Sequence, residues 1–74
     1  MATTVGWKIF AISADMSDAQ LWVVARPDLE QAILGVAGAV NTAKPGSYHY
    51  IHKPTTQATL DDLSLKPGDM VQWA

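Results

Sequence analysis

The stretch PDLEQAILGVAGAVNTAKPG, residues 27–46, carries the clearest secondary-structure signal in the chain and limits how the rest can be arranged. Asp28 is a favoured helix N-cap, and Gln31 follows at the third helical position. The lysine, proline and glycine at 44–46 favour a turn, so the helix is predicted to end near Asn41. Apolar residues recur along one side of this segment at helical spacing. They are Leu29, Ala32, Ile33, Val36, Ala37 and Val40.

Two stretches before the helix, 5–13 and 19–26, are rich in β-branched and aromatic residues and are predicted to pair as a hairpin. Side chains alternate between the two faces of a strand. The predicted core face holds Val5, Trp7, Ile9, Ala11, Leu21, Val23 and Ala25. The predicted opposite face holds Lys8, Phe10, Ile12, Gln20, Trp22, Val24 and Arg26. Because Ser17 and Gln20 have capping-box spacing, a short helix through Arg26 is the alternative for the second stretch.

The segment after the helix is predicted to add strands at 47–53 and 70–73. Between them, Thr59 is predicted to cap one helical turn, and the Pro-Gly pair at 67–68 to form a type II turn. The expected fold is a single α+β domain over residues 1–74. It has a small antiparallel sheet in β-β-α-β-β order, with one amphipathic helix packed on one face and the other face open.

Composition limits the possible functions. The chain has 74 residues, of which 16% are charged, so little charge is available to cover the surface. Its net charge of −2 has the wrong sign for a protein that binds duplex nucleic acid by neutralising phosphates. The absence of cysteine excludes disulfides and thiolate metal sites and suits a cytoplasmic protein. No apolar stretch is long enough to cross a bilayer, and no signal peptide is predicted.

The segment GSYHYIHKP, residues 46–54, contains both histidines and both tyrosines of the chain. His49 and His52 are three residues apart, a spacing that places them on opposite faces of a strand and does not form a shared metal site. Ser47 lies near His49 in sequence, but no nucleophile elbow or glycine-rich phosphate loop accompanies them. The sequence therefore predicts no enzyme, cofactor or metal, with a small enzyme or a metal site at His49 or His52 kept as an alternative.

The remaining surface features favour binding. Aromatic and basic residues on the open sheet face, and an uncharged outer helix face around Leu34, are typical of protein interfaces unless residues 55–65 fold over that helix face. The predicted contact residues are Lys8, Phe10, Trp22, Arg26, Leu34, Tyr48 and Tyr50. The predicted function is a protein-interaction module, a regulator or inhibitor of the size that phages and mobile elements often encode, acting as a homodimer. Single-stranded nucleic acid binding by the same sheet face is the alternative.

Overall fold

A four-stranded antiparallel sheet carries one long helix on one face and one short helix at one end of the other face in the computed structural model, which describes residues 4–73. The elements are β1 (Gly6–Ser13), β2 (Ala19–Val24), α1 (Leu29–Ala43), β3 (Tyr48–Thr55), α2 (Gln57–Asp62) and β4 (Met70–Gln72). The strands lie in the order β3-β1-β2-β4. The predicted α+β class, the antiparallel sheet and the long helix packed on one sheet face are confirmed. The predicted strand-strand-helix-strand-strand order is incomplete, because a second helix, α2, lies between β3 and β4, where a single helical turn was predicted.

Helix α1 begins as predicted, because the Asp28 carboxylate accepts a hydrogen bond from the Gln31 backbone N–H at 3.1 Å. It ends at Ala43, slightly later than predicted. In its last turn the Asn41 and Thr42 side chains donate to backbone carbonyls at 2.8 and 2.7 Å, so these polar residues extend the helix. Its buried residues pack on the central strands and form the main core. That core consists of Ile9, Ala11, Val24, Ala32, Val36 and Val40.

The predicted faces are confirmed for Trp7, Ile9 and Ala11 of β1 and wrong for β2. The prediction is also wrong for Val5, which precedes β1 and packs with Val23 and Leu60 on the other side of the sheet. Ile9 pairs with Trp22, and Trp7 with Val24, so all four side chains lie on the α1 side of the sheet. Val23 lies on the other side, where it is also fully buried. The alternation in β2 predicted the wrong face because α2 covers the second face at Val23, so Val23 and Val24 are both buried and no polar residue among 21–24 distinguishes the two faces.

A second, smaller core covers one end of the other face. Helix α2 places Leu60 against Val23 and Ala25. Its N-cap is Thr56, whose hydroxyl accepts from the Thr59 N–H at 3.3 Å, so the predicted cap at Thr59 is wrong by one turn. The alternative in which residues 55–65 fold over the outer face of α1 is also wrong, because the apolar residues of this segment pack on the opposite side of the sheet.

The turn before β4 forms as predicted, and β3 is longer than predicted. Gly68 has φ of 90°, and the Asp69 N–H donates to the Lys66 carbonyl at 2.9 Å, which confirms the predicted turn. Strand β3 continues through Pro54, although it was predicted to stop before it. An edge strand tolerates proline where the missing N–H would face away from the neighbouring strand. Within the described residues, no helix is long and apolar enough to cross a membrane.

Candidate functional site

The sheet face opposite α1, called the open face below, presents a row of large apolar side chains across all four strands. Phe10 pairs with Ile51 on one side and Leu21 on the other. The Trp73 N–H donates to the Leu21 carbonyl at 2.7 Å and places Trp73 at the far end of the row. Ile51 and Trp73 are 51% and 50% exposed. With strands about 4.8 Å apart, this apolar row spans roughly 14 Å.

Two lysines lie beside the apolar row. Lys8 on β1 and Lys53 on β3 are directly paired across the strands. Like charges in this position repel and destabilise a sheet. The Lys8 Nζ atom lies 5.3 Å from the centroid of the Trp73 ring, within cation-π distance. The open face therefore carries two lysines next to exposed apolar surface.

The negative charge of the chain lies elsewhere. The strand residues on the open face include no aspartate or glutamate, as the strand registers show. Asp61 and Asp62 are on α2, at the covered end of this face. The Asp61 carboxylate accepts a hydrogen bond from the Gln57 side chain at 3.0 Å. A chain of net charge −2 thus concentrates basic groups beside its exposed apolar row.

The structure separates the predicted contact residues. Lys8 and Phe10 lie on the open face, as predicted. Trp22 lies on the α1 side, where it packs against the main core and its indole N–H donates to the Gln20 side chain at 3.0 Å. Arg26 follows β2 and donates to the Gln31 side chain on α1 at 3.2 Å. The predicted placement of Trp22 and Arg26 on the open face is therefore wrong.

The other predicted contact residues lie in two further places. Tyr48 and Tyr50 are on the α1 side of β3, partly buried, with ring centroids 6.5 Å apart. The Tyr48 hydroxyl donates to the Lys44 carbonyl at 2.7 Å, which ties β3 to the end of α1. Leu34 is 64% exposed on the outer face of α1. These residues do not form one surface with Lys8 and Phe10.

Sequence reasoning missed Ile51 and Leu21 as members of the apolar row and left Trp73 as one of two alternatives. The alternation in 70–73 leaves open whether Val71 and Trp73 or Met70 and Gln72 face outward. Val71 pairs with Val23, so it lies on the open face. Trp73 is two residues further along and therefore lies on the same face. Ile51 is two residues from Lys53, so a strand places both on the same face, and it places Tyr48 and Tyr50 on the opposite face. This alternation could have identified Ile51.

The two histidines lie on opposite sides of β3. His49 is on the open face, and His52 is on the α1 side, with its ring 5.4 Å from that of Trp7 in an edge-to-face contact. The part of the chain that the structure describes contains no group of three metal-ligating side chains placed to hold one ion.

A polar cleft of about 350 Å³ lies between the β1–β2 connection and the turn before β3. The hydroxyl and backbone N–H of Ser17, with the Ser13 hydroxyl, donate to the Asp15 carboxylate and lower its pKa from 3.8 to about 2. A carboxylate with so low a pKa is a weak base, so Asp15 is poorly suited to general-base catalysis. The network instead holds the tight connection in which Met16 has φ of 59° and is 78% exposed.

We expect Ser17→Ala to raise the pKa of Asp15 towards its usual 3.8, because the variant loses the hydroxyl that donates at 2.7 Å. The contribution of Asp15 to stability is present above pH 3.8 and is lost as pH falls towards 2, since the folded chain has the lower pKa. Carboxyl NMR titration measures the shift. Ser47→Ala, in the same cleft, should leave this pKa unchanged, and an equal shift in both variants would contradict the assignment.

Comparison of the chain with protein-family models, curated proteins and solved structures finds no match.

Proposed function

We propose that the chain is a non-enzymatic protein-binding module, a regulator or inhibitor that uses the open face to bind a partner protein carrying acidic and apolar side chains. The single observation that carries this proposal is the apolar row of Ile51, Phe10, Leu21 and Trp73 beside the paired lysines. Exposed apolar surface bordered by polar groups is typical of interaction sites.

The apolar row supports binding to a protein surface. Two of its four side chains, Ile51 and Leu21, are aliphatic, and aliphatic side chains pack against apolar side chains of a partner without requiring flat rings. Trp73 supplies the aromatic residue most often found at the energetic centre of an interface. Its indole is half exposed in the free chain, so a partner that covers it gains apolar burial.

The charge pair supports an acidic partner. Lys8 and Lys53 are paired across β1 and β3, and the strand residues of the open face include no carboxylate to neutralise them, so carboxylates of a partner would be attracted to this part of the face. Two copies of the open face would bring four lysines to one interface, which argues against self-association through this face. Single-stranded nucleic acid also offers negative charge, but two lysines on an acidic chain attract a phosphate backbone weakly.

Fluorescence polarisation at low salt tests the proposal with a labelled peptide of alternating leucine and glutamate. We expect this peptide to bind, and the same peptide with lysine in place of glutamate to bind at least tenfold more weakly. Lys53→Glu should weaken binding of the acidic peptide about tenfold, an effect of roughly 1.4 kcal/mol. Lys44→Glu makes the same change in net charge at the C-cap of α1, off the open face, and should have little effect.

Two results would contradict the proposal. Equal weakening by Lys53→Glu and Lys44→Glu would mean that overall charge, and not the open face, attracts the peptide. Tighter binding of a single-stranded oligothymidine than of the acidic peptide, lost in Lys53→Glu, would assign the face to nucleic acid instead.

A further inference from the structure

The outer edge of β3 is a free row of backbone hydrogen-bonding groups. The Ala14 N–H donates to the Ser47 carbonyl at 2.9 Å, and this pair continues the register of β1 with β3. In an antiparallel ladder such pairs alternate, so the odd-numbered residues of β3 bond β1 and the even-numbered residues direct their N–H and C=O groups outward. The outward residues are Tyr48, Tyr50, His52 and Pro54. Within residues 4–73, no strand pairs with this edge.

We propose that two copies of the chain pair antiparallel through their β3 edges, about a two-fold axis at Ile51, to form one continuous eight-stranded sheet. In this register Tyr50 of each copy exchanges hydrogen bonds with His52 of the other. The Tyr48 N–H donates to the Pro54 carbonyl of the other copy. All the free N–H groups of the edge are then used, and Pro54, which has none, sits where only its carbonyl is needed.

The side chains across the two-fold axis are compatible. Ile51 lies opposite Ile51 of the second copy, in a pair of the kind that is not hydrogen-bonded and brings side chains closest. The two half-exposed isoleucines therefore cover each other. Lys53 lies opposite His49 of the second copy, so the lysines of the two copies do not meet. On the α1 side, Tyr50 lies opposite His52.

The helices on the two faces of the sheet leave room for the second copy. Helix α1 packs chiefly on β1, and the two β1 strands of the dimer would be about 14 Å apart. Helices in contact are 8–10 Å apart, so the two α1 helices would not collide. Helix α2 packs on β2, farther from the edge. The two apolar rows would meet at Ile51 and run across all eight strands, which gives a partner a longer surface than one chain provides.

Single-cysteine variants test the pairing, because the natural chain has no cysteine. Across the proposed axis, the two Cα atoms of residue 51 would be about 4.5 Å apart, within disulfide range. We expect Ile51→Cys to form a disulfide dimer rapidly under mild oxidation. His49→Cys and Lys53→Cys are matched controls on the same face of β3. Each alone would place its cysteines about 13 Å apart and should stay monomeric, whereas a mixture of the two should form the mixed disulfide.

Light scattering over a concentration series tests the same pairing without cysteine. We expect the mass to rise from 8.0 kDa towards twice that value in the unmodified chain. His52→Pro removes an outward N–H that makes no bond within the chain, so it should stay folded by circular dichroism and remain monomeric. A monomer at every concentration, equal disulfide formation in all three cysteine variants, or a dimer that survives His52→Pro would each overturn edge pairing. None of these results depends on whether the open face binds acidic peptides.

Discussion

Ile9→Ala is expected to lower the free energy of unfolding by about 3 kcal/mol, within the 2–5 kcal/mol typical of large-to-small changes in a core. Ile9 is 0% exposed at the centre of the main core, between α1 and the sheet. The variant leaves a cavity among packed side chains that can close only in part. A domain of this length typically has about 4 to 11 kcal/mol of stability, so the loss is a large part of the total.

Ile51→Ala is the matched control, since it makes the same change in a neighbouring strand at a side chain that is 51% exposed. We expect a loss below about 1 kcal/mol, because much less apolar surface leaves a buried site. Urea titration followed by circular dichroism measures both variants. It should be done at a concentration where the chain is monomeric, so that any pairing through β3 does not add to the stability of the unmodified chain. Equal losses in the two variants would contradict the assignment of the sheet faces.

Local signals predicted most of the fold. The Asp28 cap and the helical spacing that follows it placed α1, and the Pro67-Gly68 turn placed β4. These features depend on residues close together in sequence, and their chemistry does not depend on what packs against them. The faces of β1 were also predictable, because Lys8 marks one of them as the less buried side.

The candidate site was harder to predict because it depends on long-range contacts. Leu21, Trp22, Val23 and Val24 offer no polar residue to choose a face for β2, and a one-residue shift moves every side chain to the other side. Helix α2 determines which face of β2 lies towards α1, because it covers Val23 although it lies more than thirty residues away in sequence. The sequence did not indicate that α2 would cover Val23. The prediction therefore placed Trp22 on the contact surface, where the structure has Leu21.

Trp22→Ala is expected to lower the free energy of unfolding by about 2 kcal/mol, less than the 3–5 kcal/mol of a fully buried tryptophan because this side chain is partly exposed. Its ring packs against the main core below α1, and the variant also loses the indole hydrogen bond to Gln20. Circular dichroism in urea is the suitable measurement, since the substitution itself removes a fluorophore. We expect no direct effect of Trp22→Ala on acidic-peptide binding under conditions where the variant is folded.

Trp73→Ala makes the same change on the other side of the sheet and should have the opposite pattern. The expected loss of stability is below about 1 kcal/mol, chiefly from the cation-π contact with Lys8. Binding of the acidic peptide should weaken at least tenfold, because Trp73 ends the apolar row and its exposed half is available to a partner. If Trp22→Ala weakened binding while keeping full stability, and Trp73→Ala left binding intact, the contact surface would lie on the α1 side of the sheet. The two tryptophans therefore separate the residues that hold the fold from those available to a partner.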